Sequence, residues 1–224
     1  MDAMLRLALR KYNRLRQQVD NMLLGDEGDV IEAELRKFVA KRPCWVNGQV
    51  AKATETKPQI LHLISSGKKI VIRTTKGERT IAQAKDIFTW GIDGDFTNWG
   101  LDVPGEAKLE TLVEVHEMTE DGDFKAIYGG LDRNLDNLRL TQDQIIAFVG
   151  DNKKWLRKEG YETFFLFTKK DEPINADKSN LFVADVNLDS DERPNAFVRH
   201  FSDDNEWCGG NRHRVVVPQQ TLVV

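Results

Sequence analysis

The spacing of the apolar residues changes at Pro43, and that change restricts the fold more than any other feature of the chain. Upstream, Leu5, Ala8, Leu9, Tyr12, Leu15, Val19, Met22 and Leu23 recur every three or four positions with Arg and Gln between them, the period of an amphipathic helix. Gly25 supplies a stop. Asp29 with Glu32 three positions on has the form of a capping box, and a second helix follows through Val30, Ile31, Leu35, Phe38 and Val39 until Pro43 ends it. Residues 1–42 therefore read as a helical hairpin. Its apolar stripes need a partner, either the rest of the chain or a second copy.

Downstream the period shortens. Trp45-Val46-Asn47-Gly48 carries a turn signal, and the β-branched run Lys69–Thr74, then Lys76-Gly77-Glu78, then Arg79-Thr80-Ile81 has the pattern of a hairpin. Residues 90–105, rich in Gly, Asp and Trp, read as a long irregular connection. Thr111–Glu117 alternates, and Phe124–Tyr128 is expected to return against it across the Glu120–Asp123 turn. Thr141 and Gln144 form a capping box ahead of Ile145, Ile146, Phe148, Val149, Trp155 and Leu156, so a helix of about four turns is expected, weakened at Gly150 by about 1 kcal/mol relative to Ala. Strands are expected at 161–168, 180–186, 196–201 and 213–217. The predicted class is α+β in three parts. A helical N-terminal segment spans 1–42, a small basic β-rich region with a long loop spans 43–105, and an antiparallel sheet with one packed helix spans 106–224.

The 224 residues, 40% apolar and 30% charged, suffice for a buried core. No apolar run reaches the ~18–20 residues of a membrane helix. The two cysteines, Cys44 and Cys208, are far apart, and no Asn-x-Ser/Thr acceptor occurs. The sequence thus reads as cytoplasmic, without a membrane partner.

Charge is distributed unevenly. Residues 36–85 carry twelve Lys or Arg against two acids, whereas residues 86–124 carry eleven acids against Lys108 and, at the boundary, no other base. Such asymmetry points to contact with nucleic acid or another polyanion, unless the two blocks fold together and neutralise. Lys68, Lys69, Arg73, Lys76 and Arg79 surround the expected hairpin, with Trp45 upstream. Basic residues on a β-ribbon beside an aromatic suit phosphate contacts and base stacking. A second cluster gathers Arg199, His200, Trp207, Arg212, His213 and Arg214 within sixteen positions. If the last two strands pair about Gly209-Gly210, one face would present several of these groups to an anion or a partner. Ion pairs with Asp203, Asp204 and Glu206 are the simpler use of the same arginines.

Catalytic signatures are missing. No phosphate loop, dinucleotide fingerprint, nucleophile elbow or His-Glu-x-x-His occurs. Ser65-Ser66-Gly67-Lys68 matches Ser-x-x-Lys without its partner motifs and reads as a turn. Asp185-Val186-Asn187-Leu188-Asp189 resembles the start of a calcium loop, but Ser190 and Ala196 stand where Gly and Glu belong. No cofactor and no metal is assigned. The sequence favours a non-enzymatic protein that binds a polyanion, nucleic acid foremost. An assembly factor using residues 1–42 is the first alternative. A metal-dependent phosphoesterase, built from the acidic loop and the C-terminal Arg and His groups, is the second.

Overall fold

The computed structural model describes residues 60–132, 134–158 and 160–219; the expected helical hairpin of 1–42, Trp45 and its Asn-Gly turn lie outside them. The described residues form nine strands: β1 (Leu61–Leu63), β2 (Ile70–Ile72), β3 (Gly91–Ile92), β4 (Thr111–Met118), β5 (Arg157–Lys158), β6 (Thr163–Thr168), β7 (Leu181–Leu188), β8 (Pro194–His200) and β9 (Arg214–Pro218). They make one sheet in the order β1-β4-β9-β6-β7-β8-β3, with β2 also on β4 and β5 on β7. Three α-helices accompany it: α1 (Asp95–Asn98), α2 (Phe124–Gly129) and α3 (Gln142–Asp151).

The expected antiparallel C-terminal sheet with one packed helix is therefore wrong. The sheet is mixed: β6 runs parallel to β9, β3 to β8, and β5 to β7. Strand β6, Thr-Phe-Phe-Leu-Phe-Thr, is buried at every position, because both faces of the sheet are covered; its unbroken apolar run is the signature of a central strand. One face packs Phe165, Phe167, Ala184, Val186 and Val216 against α3, Ile81, Phe88 and Phe96. The other packs Phe164, Leu166, Val183, Val215 and Val217 against α2, Leu135 and Leu138. Each buried Phe contributes about 1.5–3 kcal/mol to this sandwiching.

The helix expected after Thr141 is present with its capping box: Thr141 Oγ1 accepts from the Gln144 N–H at 3.2 Å, and Gln144 Oε1 accepts from the Thr141 N–H at 3.0 Å. It stops at Asp151 rather than running on to Leu156. Asn152 leaves helical geometry there, and its Nδ2 donates to the Val71 carbonyl at 3.3 Å.

Three local expectations fail for identifiable reasons. Ile70–Ile72 is a strand but pairs with β4, not with a returning segment. The N–H groups that a return strand would use are taken: Gly77 donates to Asp143 Oδ2 at 2.9 Å, and Ile81 to Gln142 Oε1 at 3.0 Å. Phe124–Tyr128 is helical, not extended. Asp123 caps it by accepting from the Ala126 N–H at 2.8 Å, and Phe124, Ile127 and Tyr128 are buried at helical spacing. Within 90–105, β3 and α1 interrupt the expected loop.

Candidate anion-binding surface and a buried carboxyl pair

The basic block begins at a turn. The Lys68 N–H donates to the Ser65 carbonyl at 2.9 Å, and Gly67 takes a positive φ of 71°. Lys68, Lys69, Arg73 and Lys76 are all exposed. Arg73 pairs with Asp151 and Arg79 with Asp86, while Lys69 and Lys76 have no ion pair among the described residues. Only the Arg79–Asp86 pair joins the basic block to the acidic one among those residues. Four of the other acids are used elsewhere: Asp93 and Asp95 within the start of α1, Glu106 with Lys108, and Glu117 beside Arg212 and Arg214.

A second set of cations lies against this block. After α3, a 3-10 turn over Lys153–Trp155 leads into β5. Trp155 is buried and anchors the turn, while Lys153 and Lys154 before it are exposed. The Lys68 ammonium sits 4.9 Å over the Trp155 ring, and Asp151, the partner of Arg73, immediately precedes the turn. The two basic stretches, distant in sequence, are thus neighbours. In the sequence Lys153-Lys154-Trp155-Leu156-Arg157-Lys158 forms a basic cluster, but the spacing of its Trp and Leu points to the tail of the preceding helix.

Beside this turn lies a pocket of about 390 Å³ lined by Lys154, Leu156, Arg157, Lys158, Tyr161 and Arg214. Arg214 Nη1 reaches the carbonyls of Lys154 and Leu156, both at 3.4 Å. Arg157 Nη2 donates to the Asn211 carbonyl at 3.1 Å, and its guanidinium lies 5.0 Å over the Tyr161 ring. The Nε atoms of Arg157 and Arg214 are buried without a hydrogen-bond partner. Burial, and next the nearby positive charge of Arg157, lower the pKa of Arg214, with Glu117 opposing. The pocket is crowded with like charge.

The six C-terminal residues do not share one face. Strands β8 and β9 are not neighbours: β8 pairs with β7, and β9 lies between β4 and β6. Gly209 opens a 3-10 turn over Gly209–Asn211 and packs so closely on Glu120 that an added Cβ would lie 2.5 Å from its backbone. His200 stacks on Trp99 at 4.3 Å and on Phe182 at 5.0 Å, on the α3 side of the sheet. Arg212 is exposed near Glu117. Arg214 belongs to the cationic pocket. The remaining three gather on the α2 side, where Arg199 lies 5.2 Å over Trp207 and Trp207 meets His213 at 5.1 Å.

There Arg199 Nε donates to Asp185 Oδ2 at 3.1 Å. Asp185 is fully buried in β7. Burial, then the neighbouring Glu162 carboxyl, push its pKa well up, with Arg199 pulling the other way. Asn187 Nδ2 donates to both Glu162 oxygens at 3.0 and 2.9 Å, and the Glu162 N–H donates to His213 Nδ1 at 3.0 Å. Burial lowers the His213 pKa, against the pull of Glu162. Glu162 belongs to no motif in the sequence, and the calcium-loop resemblance that starts at Asp185 fails there already at Ser190 and Ala196. In the fold Asp185 and Asn187 are strand residues, and Asp189 holds the following turn through Arg193 at 2.8 Å.

Among the described residues no three His, Cys, Asp or Glu side chains gather as a metal site, Cys208 is an exposed free thiol, and no helix is long and apolar enough to cross a membrane. No family model, curated protein or solved structure matches the chain.

Proposed function

We propose that the protein binds a polyanion, nucleic acid foremost, across the surface shared by the two basic stretches. The observation that carries this reading is their adjacency: the stretch of Lys68, Lys69 and Arg73 adjoins that of Lys153, Lys154, Arg157 and Lys158 through the Lys68–Trp155 contact and the Arg73–Asp151 ion pair. The seven cations of these two stretches exceed the acids paired with them. Asp151 engages Arg73 and Glu192 engages Lys158. The lysines and arginines of such a surface would displace cations condensed on the phosphates of a nucleic-acid strand, and half-exposed Tyr161 offers a ring at its edge.

The test is fluorescence anisotropy of a labelled single-stranded oligonucleotide carrying 5′-hydroxyl ends, titrated with the full chain at 50 and 200 mM salt. Binding should weaken by at least about tenfold between the two if three or more phosphates are neutralised, since each contributes about 0.7 to the logarithmic salt slope of a single strand. No binding at 50 mM salt would sink the proposal.

A further inference from the structure

We propose that the pocket formed by Lys154, Arg157, Lys158, Tyr161 and Arg214 binds a phosphomonoester, the terminal phosphate of a strand or of a nucleotide. The inference rests on the polyanion reading of the surrounding surface and assigns this pocket a distinct ligand.

Shape comes first. At about 390 Å³ the pocket is of the size that takes small ligands, about 300–1,000 Å³. A strand interior must leave a concavity on both sides, whereas a strand end or a free nucleotide enters once. Charge comes second. The lining holds four cations and no carboxylate. Glu192 pairs with Lys158 from outside the lining, and Glu117 stands 3.9 Å from Arg214 Nε. Two positive charges thus remain in surplus. A phosphomonoester carries about −1.5 to −2 at neutral pH, against −1 for each internal phosphodiester, so it matches this surplus better. Donors come third. Both guanidinium groups are tethered by backbone carbonyls through their Nη atoms, and a planar fork held in place suits bidentate contact with phosphate oxygens. An anion between Arg157 and Arg214 also removes the repulsion that they exert on each other.

The experiment uses the full chain and a 12-nucleotide single strand labelled at its 3′ end, with either a 5′-phosphate or a 5′-hydroxyl. The 5′-phosphate should bind about tenfold tighter, as one charge-assisted contact set contributes on that scale. The preference should vanish in Arg157→Gln and in Lys154→Gln/Lys158→Gln, the latter pair being exposed, with the surface ion pair of Lys158 to Glu192 the contact it gives up. Circular dichroism checks that each variant is folded. Adenosine monophosphate and inorganic phosphate, each followed by the shift in Tm, separate a strand end from a free nucleotide as the source. Equal affinity for the two ends, with no Tm shift from either small phosphate at millimolar concentration, overturns the inference. If neither strand binds while the small phosphates still raise Tm, the surface reading fails and the pocket stands.

Discussion

The cationic pocket and the Glu162–Asp185 pair lie a few residues apart in the chain, yet they treat charge in opposite ways. At the pocket, Lys154 and Lys158 are exposed and Arg157 and Arg214 crowd each other. At the carboxyl pair, Asp185 is fully buried and surrounded by Arg199, Glu162 and Asn187, with Tyr128 also buried nearby. The first arrangement leaves charge for a partner to neutralise. The second consumes it internally. The same residue types serve binding in one place and architecture in the other, and substitution should separate them.

The largest effect is expected at Asp185. Asp185→Ala leaves the partly exposed Arg199 guanidinium and Glu162 carboxyl without their buried partner, and opens a void in β7. The expected loss is about 3 kcal/mol in urea denaturation. A loss under about 1 kcal/mol would mean that water already serves these groups, and the contrast with the pocket would collapse.

Asp185→Asn keeps the shape and should cost about 1 kcal/mol or less at low pH. Its pH dependence is the sharper measurement. An acid whose folded pKa is raised binds more protons folded than unfolded. Its contribution to stability is therefore fully present below the ordinary carboxylate value of about 4 and is lost as pH rises through the raised value. The advantage of wild type over Asp185→Asn should shrink steadily from pH 4.5 to 8. Parallel stability curves across that range would show that the folded protein does not hold Asp185 protonated.

These two regions also show what the sequence could and could not tell. Local signals were reliable where one helix or strand decided the outcome: the Thr141/Gln144 box opens α3, and the apolar run at 163–168 is a strand. Phe124, Ile127 and Tyr128 behind Asp123 carried a helical signal that the alternation of the preceding strand obscured. Strand order carried no such signal. Nothing local states that β9 pairs with β4 and β6 rather than β8, and that single fact scatters the six C-terminal residues over separate sites. The basic block was visible as composition, whereas its union with Lys153–Lys158 depends on where Trp155 packs.

A smaller effect is expected from reversing Lys68, Lys69 and Arg73 to Glu. Arg73 and Asp151 are both about half exposed, and the Lys68–Trp155 contact is at the surface. Such contacts are each within about 1 kcal/mol. Since only Arg79 of this block pairs into the acidic stretch among the described residues, the triple variant should lose about 1 kcal/mol in all while oligonucleotide binding disappears. A loss several times larger, relieved by salt, would mean that the two charge blocks hold each other after all.

The smallest change in stability is expected from Arg157→Gln, and its sign carries the comparison. The substitution removes the donation from Arg157 Nη2 to the Asn211 carbonyl at 3.1 Å and the guanidinium above Tyr161, which argues for a loss. It also removes a positive charge whose proximity lowers the Arg214 pKa, which argues for a gain. Gln can still donate to a carbonyl from its side-chain amide, and the stem of Arg157 is only partly buried, so little packing is lost. The two sides should cancel to within about 0.5 kcal/mol. Denaturation at low and high salt resolves them: screening weakens the repulsion in wild type, so wild type should gain on the variant as salt rises. A loss above about 1.5 kcal/mol at every salt concentration would place Arg157 with Asp185, as a group whose charge the fold itself requires.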